Sequence, residues 1–421
     1  MHEQLPFIRQ SFPALARHHR GQPLVYLDGP AGSQVPASVA RAVADHLLHH
    51  NANHGGSFIT SRENDAMLAQ AQQACADLIG CDDPETIIFG ANMTTLTLAF
   101  SRALARTWQP GDAVVVTQLD HDANHTPWVL AARDAGAEVR VCPVDPRDCT
   151  LDLDALARLL TPRTRLVAVT AASNAVGTLT PLPQIAQLAH AVGAQVFVDA
   201  VHLAPHRLID VQAFGCDYLV ASAYKFFGPH VGVLWGRREL LESLRPYKVR
   251  PAPEQLPDRW MTGTQNFACI AGTLAAIDYL AELGRRLAPA AATRRAALVA
   301  AFAAISDYER WLGAELLAGL GQLPDVRVLG ITDPARFDQR VPTVSFTHAR
   351  LAPREVARRL AAAGINVWSG NYYALPLTES LGLEPAGMVR VGLLHYNTPD
   401  EVHRLLDTLA RIETLQSSVT V

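Results

Sequence analysis

The side chains able to do chemistry collect at the ends of short apolar runs. Asn92, Met93, Thr94 and Thr95 follow the run ending at Phe89; Asp120, His121 and Asp122 follow Thr117; Ser173 and Asn174 follow Thr170. Asp199 and His202 come after Val198, and Ser222, Tyr224 and Lys225 come after Ala221. In an open α/β sheet the loops beyond the carboxyl ends of the strands converge, and helix N-termini point into the crevice between them. An acid, a lysine, two imidazoles and several hydroxyls gathered there supply proton transfer, attack by an amine and anion binding. Alone, Asp199 reads equally as a helix cap, and so does the Asn92–Thr95 stretch. Phe-Val-Asp-Ala-Val, however, follows a run buried on both faces, where an ionised carboxylate needs a cationic or strongly donating partner. Lys225 stands among aromatics in Ser-Ala-Tyr-Lys-Phe-Phe-Gly-Pro, and lysine is almost never buried without a reason. The two residues are either a structural ion pair or the groups on either side of a cofactor.

The elements that must hold these side chains alternate short β-branched runs with amphipathic stretches from about Val25 to Leu283, the pattern of a parallel sheet covered on both faces by helices. Expected strands are Thr86–Phe89, Ala113–Thr117, Glu138–Val141, Leu166–Thr170, Gln195–Val198, Tyr218–Ala221 and Gly232–Leu234. The stretch from Val249 to Gly263 carries three prolines and reads as a long ordered loop. A helix is expected at Leu274–Leu283 and a long one at about Pro289–Leu320. Strands near Val326–Leu329, Pro342–Phe346, Ile365–Val367 and Val389–Leu393, with helices at Pro353–Ala363 and Pro399–Ile412, make a smaller α+β unit. The expected organisation is an N-terminal segment, 1–25, packing with the small domain, a large domain over 26–285 and a small domain over 286–421.

With 421 residues there is ample chain for a large core. The net charge of −4 and the lack of any basic run argue against nucleic acid or an anionic membrane as a partner. Six cysteines without C-x-x-C spacing argue against a zinc ribbon or a disulfide framework and for a reducing cytoplasm. His46, His49, His50 and His54 have helical spacing, but no cysteine or paired carboxylate completes a ligand set, so no metal is expected.

Leu119-Asp-His-Asp-Ala-Asn, Ser173-Asn-Ala-Val-Gly, Val198-Asp-Ala-Val-His and Ser222-Ala-Tyr-Lys together carry a resemblance that extends from Tyr26-Leu-Asp-Gly-Pro-Ala-Gly to Arg390-Val-Gly-Leu-Leu-His-Tyr-Asn-Thr. The sequence resembles the fold-type I, pyridoxal-phosphate-dependent enzymes of aminotransferase class V, and within them the cysteine desulfurase and selenocysteine lyase group. The resemblance implies a mostly parallel seven-stranded sheet in the large domain and a smaller α+β C-terminal domain. It implies Lys225 as the Schiff-base lysine, Asp199 on the pyridine nitrogen and His121 stacked on the ring as a possible acid. Met93, Thr94 (or Thr95), Ser222 and Tyr224 would hold the phosphate. Asn174 and His202 would lie by the ring hydroxyl, with His202 replacing the glutamine of many relatives. Thr264 would reach the phosphate of the neighbouring subunit in a homodimer with shared sites, and Arg390 would bind the α-carboxylate of an amino-acid substrate, with Asn371 and Tyr373 beside it.

One departure from the group stands out. Its loop cysteine, the sulfur acceptor, corresponds to Tyr373 in Trp368-Ser-Gly-Asn-Tyr-Tyr-Ala-Leu-Pro, and Trp368 replaces an arginine. A phenol cannot accept sulfane sulfur. The expectation is therefore a C–S lyase acting by elimination without an enzyme persulfide. Transamination, epimerisation, decarboxylation or an atypical desulfurase route are the alternatives within the fold, and a non-catalytic cofactor-binding module is the alternative outside it.

Overall fold

A computed structural model describes residues 1–413; residues 414–421, the end of the expected small domain, lie outside the described residues. The large sheet has seven strands: β1 (Ile87–Gly90), β2 (Ala113–Thr117), β3 (Glu138–Cys142), β4 (Thr164–Thr170), β5 (Gln195–Asp199), β6 (Tyr218–Ser222) and β7 (Gly232–Gly236). Their order is β1-β7-β6-β5-β4-β2-β3, with β7 antiparallel to both neighbours and every other pair parallel. The central strands are buried on both faces, as their Val, Ile and Leu content requires. Helix α1 (Met93–Ala105) leaves the end of β1 and packs against β7. The approach is close enough that a Cβ on Gly232 would lie 2.5 Å from the backbone carbon of Asn92, so glycine is required there for the α1 N-terminus to sit where it does.

The second sheet consists of β8 (Val326–Leu329), β9 (Thr343–His348), β10 (Trp368–Gly370) and β11 (Met388–Gly392), antiparallel in the order β8-β9-β11-β10. Arg390 lies on β11 with Ser345 and Trp368 as its register neighbours. The Pro-rich stretch forms turns and bends, as its prolines demand.

Two helices join the sheets. Helix α2 (Phe267–Leu287) is longer than the sequence pattern indicated because Asn266 caps it, accepting from the Cys269 N–H at 3.1 Å. It is long and apolar enough to cross a bilayer, yet two thirds of its apolar window is buried inside the protein. Helix α3 (Arg294–Leu320) starts at the Thr293 cap rather than near Pro289. Its first half buries Ala297, Leu298, Phe302 and Ile305 in the core of the large sheet, and its second half buries Tyr308, Leu312, Leu316 and Leu320 against the small one. The N-terminal residues likewise touch both parts. Arg9 donates to the Tyr396 carbonyl at 2.8 Å and to Glu401 at 2.9 Å, whereas Phe12 packs edge-on against Phe227 and Tyr279.

Candidate active site

A cavity of about 400 Å³ opens at the carboxyl ends of β4, β5 and β6, lined by Met93, Thr94, His121, Asn174, Asp199 and Lys225 among others. It adjoins a second of about 410 Å³ that shares His121, Asn174, Tyr224 and Lys225 and adds Arg390 and the 368–373 segment. The sheet therefore brings together almost all the residues singled out from sequence. Thr264 is the exception: it is exposed and borders a separate cavity, one it shares with Thr95 and His230.

At the floor, Asp199 is buried at the last position of β5, and its Oδ1 accepts from the Val201 N–H at 2.8 Å. Burial pushes its carboxyl up to about 6, partly offset by that hydrogen bond and by Lys225. Lys225 follows β6 in a short turn and donates to the Pro30 carbonyl, with its ammonium 4.9 Å from the centre of the Tyr224 ring. Burial first, then the nearby Arg390, lower it to about 7, against the pull of Asp199. A substantial fraction of the Lys225 amine is thus unprotonated at neutral pH.

His121 precedes a short turn whose position is fixed from beneath. Asp120, fully buried, accepts from Thr117 Oγ1 and from Asn124 Nδ2 (2.8 Å), while Asn124 accepts from Trp128 Nε1 at 3.0 Å. His121 Nδ1 accepts the Ala123 N–H at 3.0 Å, which leaves Nε2 as the protonated nitrogen of the neutral ring. Burial and the positive charge of Lys225 lower it to about 4.

The end of the cavity suited to an anion is the N-terminus of α1. Asn92 Oδ1 caps the helix by accepting from both the N–H and the hydroxyl of Thr95, so Thr95 is spent on the cap, and Thr94 is the threonine that faces the cavity. Ser222 Oγ accepts the Met93 N–H at 3.0 Å, tying the helix start to the end of β6. Tyr224 stacks on His230 at 5.0 Å.

Two buried atoms facing the floor lack partners, Asn174 Oδ1 and His202 Nδ1; His202 Nε2 is engaged with Thr343 Oγ1 at 2.9 Å. Burial, with His206 nearby, holds His202 well below its usual range and hence neutral. Orphaned polar atoms of this kind mark the place of a missing polar ligand. Together with a free-base lysine, a buried acid and a helix N-terminus, they fit pyridoxal phosphate.

Arg390 is buried. It donates from Nη1 to the Asn174 carbonyl at 2.8 Å and has an unpartnered Nε. Burial lowers it to about 10, still fully charged. The sequence marked Tyr372 only as a core or pocket aromatic and Pro30 only as part of a motif; the structure lays the Tyr372 ring over this guanidinium and makes the Pro30 carbonyl the acceptor of Lys225. Of the four clustered histidines, two lie beside acids: His50 Nδ1 is 3.0 Å from Glu63, and His49 and His50 lean toward Asp45; His54 packs edge-on against Phe267. Among the described residues one group has metal-ligand spacing, Asp325, His348 and Glu413, and both of its acids are bound by Arg350.

A strand-end lysine and acid beside a helix N-terminus, with a buried arginine on the adjoining cavity, are the arrangement of a cofactor-dependent enzyme. The Aminotransferase class-V profile matches residues 25–405, and the chain belongs to that family. It is a pyridoxal-phosphate-dependent enzyme of cysteine desulfurase-like type. A cysteine desulfurase of Klebsiella pneumoniae is 35% identical, covering 97% of this chain and 98% of its own length, and one of Serratia proteamaculans is 33% identical over 97% and 98%. The fold superposes on the apo cysteine desulfurase of Thermococcus onnurineus with a TM-score of 0.86, 26% identity and 97% coverage of both chains. For the Escherichia coli cysteine desulfurase CsdA the TM-score is 0.83 at 28% identity, covering 98% and 99%.

Proposed function

We propose that this enzyme is a C–S lyase that cleaves a cysteine derivative by elimination and stores no sulfur on itself. The observation that carries the reading is Tyr373. The loop position that would present a thiol holds a phenol whose ring stacks on His121 at 5.4 Å, and the Tyr373 carbonyl accepts the Asp122 N–H at 2.7 Å. No cysteine substitutes for it from elsewhere. Five of the six are buried, none borders the two cavities, and burial pushes Cys75, Cys142 and Cys216 up to about 12 and Cys149 to about 11, which suppresses the thiolate.

Pyridoxal phosphate held here supplies an electron sink for negative charge at the substrate Cα. Asp199 would keep the pyridine nitrogen protonated, and the α1 N-terminus with Thr94, Ser222 and Tyr224 would hold the phosphate. Asn174 and His202, each with an unpartnered buried atom, would hold the ring hydroxyl. Arg390 orients the substrate by its α-carboxylate. Lys225 Nζ carries the proton to and from Cα, and His121, neutral with its proton on Nε2, donates toward the departing group.

The same reading takes the active unit as a homodimer, with Thr264 reaching across to the partner subunit's phosphate site; its exposure outside the Lys225 cavity supports this. Six free thiols suit a reducing cytoplasm. The experiment is mass spectrometry of enzyme trapped during turnover of L-cysteine and of S-methyl-L-cysteine. Sulfide or thiol is released with keto acid and ammonia, and no cysteine gains sulfur. A sulfur adduct on any of the six, competent to pass sulfur onward, overturns the proposal.

A further inference from the structure

We propose that Tyr373 and Trp368 form an aromatic subsite in front of Lys225 for a planar apolar group carried on the substrate sulfur, so that the preferred substrates are S-benzyl- or S-aryl-type cysteines rather than cysteine itself. The inference rests on the lyase reading above and names its substrate class.

The segment that presents these rings is held in an unfavourable backbone. Tyr372 and Tyr373 have φ of 58° and 59°, a left-handed conformation that costs a non-glycine residue free energy at each position. Five hydrogen-bond contacts from four donors hold it. Asn174 Nδ2 donates to the Tyr372 carbonyl at 2.9 Å, Asp122 N–H to the Tyr373 carbonyl at 2.7 Å, Tyr373 N–H to Asn371 Oδ1 at 3.1 Å, and the Tyr372 hydroxyl to the carbonyls of Trp368 and Met388. A loop that merely connects β10 to β11 needs none of this. The result is two large aromatic surfaces left open: Tyr373 is 72% exposed with one face on His121, and Trp368 is 52% exposed. Both border the cavity that contains Lys225 and Arg390.

Between an arginine that fixes the carboxylate and a lysine that works at Cα, the substrate side chain is directed toward the 368–373 segment. A free thiol would bury little against these aromatic faces; a planar apolar substituent would lose its hydration against them. The chemistry balances without an oxidant. Lys225 takes the Cα proton, the Cα–H electron pair becomes the Cα–Cβ double bond, the Cβ–S pair leaves on sulfur and is protonated to a thiol, and water converts the remaining skeleton to a 2-keto acid and ammonia.

The test uses holoenzyme and reads chemistry and binding separately. Thiol release is compared for L-cysteine, S-methyl-L-cysteine and S-benzyl-L-cysteine, and affinity is read from the visible cofactor band on adding O-methyl- or O-benzyl-L-serine, whose poorer leaving groups slow cleavage. Wild-type kcat/KM for the S-benzyl compound exceeds that for the S-methyl compound by roughly tenfold or more, with the same order in the serine affinities. Tyr373→Ala and Trp368→Ala bring both ratios to within about threefold of unity, and Tyr373→Phe, which keeps the ring, retains them. Ratios near unity in the wild type, or ratios that none of the variants moves, overturn the subsite. Tight binding of O-benzyl-L-serine without thiol release from any substrate keeps the subsite and removes the lyase reading. Thiol release without benzyl preference does the reverse.

Discussion

The Tyr372 ring lies over the Arg390 guanidinium, 4.0 Å from its carbon to the ring centre, on a residue whose Nε has no partner. A cation–π contact satisfies the charge without using its hydrogen-bond donors, so the guanidinium stays buried yet ready for a carboxylate. Arg390→Ala removes that anchor, and a charge-assisted carboxylate pair is worth roughly 2–5 kcal/mol. The expected loss in kcat/KM is therefore roughly thirtyfold to several thousandfold. Arg390→Lys should recover little of it, because an ammonium cannot make the bidentate pair. Steady-state kinetics on one substrate with both variants checks this, and a wild-type KM in either variant would remove Arg390 from substrate binding.

Lys225 gives a pH signature before any turnover. With its amine lowered to about 7, the apoprotein should take up pyridoxal phosphate slowly below that pH and faster as pH rises through it, levelling above. Arg390 is the second cause of the lowering, so Arg390→Ala should move the midpoint upward. The growth of the imine absorption with time, followed across pH, reads this directly; borohydride should then fix the cofactor on Lys225, and Lys225→Ala should show neither band nor turnover. A midpoint that stays put in Arg390→Ala would contradict the assigned electrostatics.

Asp199 should stabilise the holoenzyme at the expense of the apoprotein. Its folded-state pKa, raised to about 6, lies above the value of about 3.9 in an unfolded chain. The folded form therefore holds the extra proton between those values, and apoprotein stability falls as pH rises from about 4 through 6, by up to about 3 kcal/mol. Asp199→Asn keeps the acceptor for the Val201 N–H and carries no charge. Its apoprotein should melt higher than wild type above pH 6 and equal to it near pH 4, while losing cofactor and turnover. Calorimetry of the two apoproteins across pH decides it; a less stable Asp199→Asn apoprotein at neutral pH would refute the account.

Lys225, Asp199, His121 and Asn174 were legible in the sequence because strand ends are marked by β-branched runs, and polar residues just beyond them must point into one crevice. Arg390 was found through its motif. The stacking of Tyr372 on Arg390 was not legible, since it depends on two successive left-handed residues where no glycine announces them. The Asp120–Asn124–Trp128 chain beneath His121 was hidden for another reason: its members are ordinary residues a turn apart whose value appears only once all are buried together. Helix α3 shows the limit for domain boundaries. A helical period reveals that one face is buried, not that successive turns of that face enter two different cores.

Those two cores meet at His206 and Glu309, the pair that carries the last prediction. His206 follows β5 in the large part, Glu309 sits mid-way along α3, and His206 Nδ1 lies 2.7 Å from Glu309 Oε2, with both side chains 1% exposed. Burial raises the Glu309 carboxyl, and the facing His206 and Arg207 oppose that rise. Next to them, His395, which follows β11, engages the Tyr279 hydroxyl of α2 at 2.7 Å. Removing one member strands the other polar group where water does not reach, which costs about 3–5 kcal/mol for a buried pair. His206→Leu and Glu309→Leu should each lower the melting temperature markedly, and the double variant should be less destabilised than the sum of the singles, because neither partner is left alone. Arg207 and His395 stay in place throughout, so the non-additivity reports on the His206–Glu309 contact. Denaturant titration of the three variants measures it, and strictly additive losses would show that the two residues stabilise the junction independently.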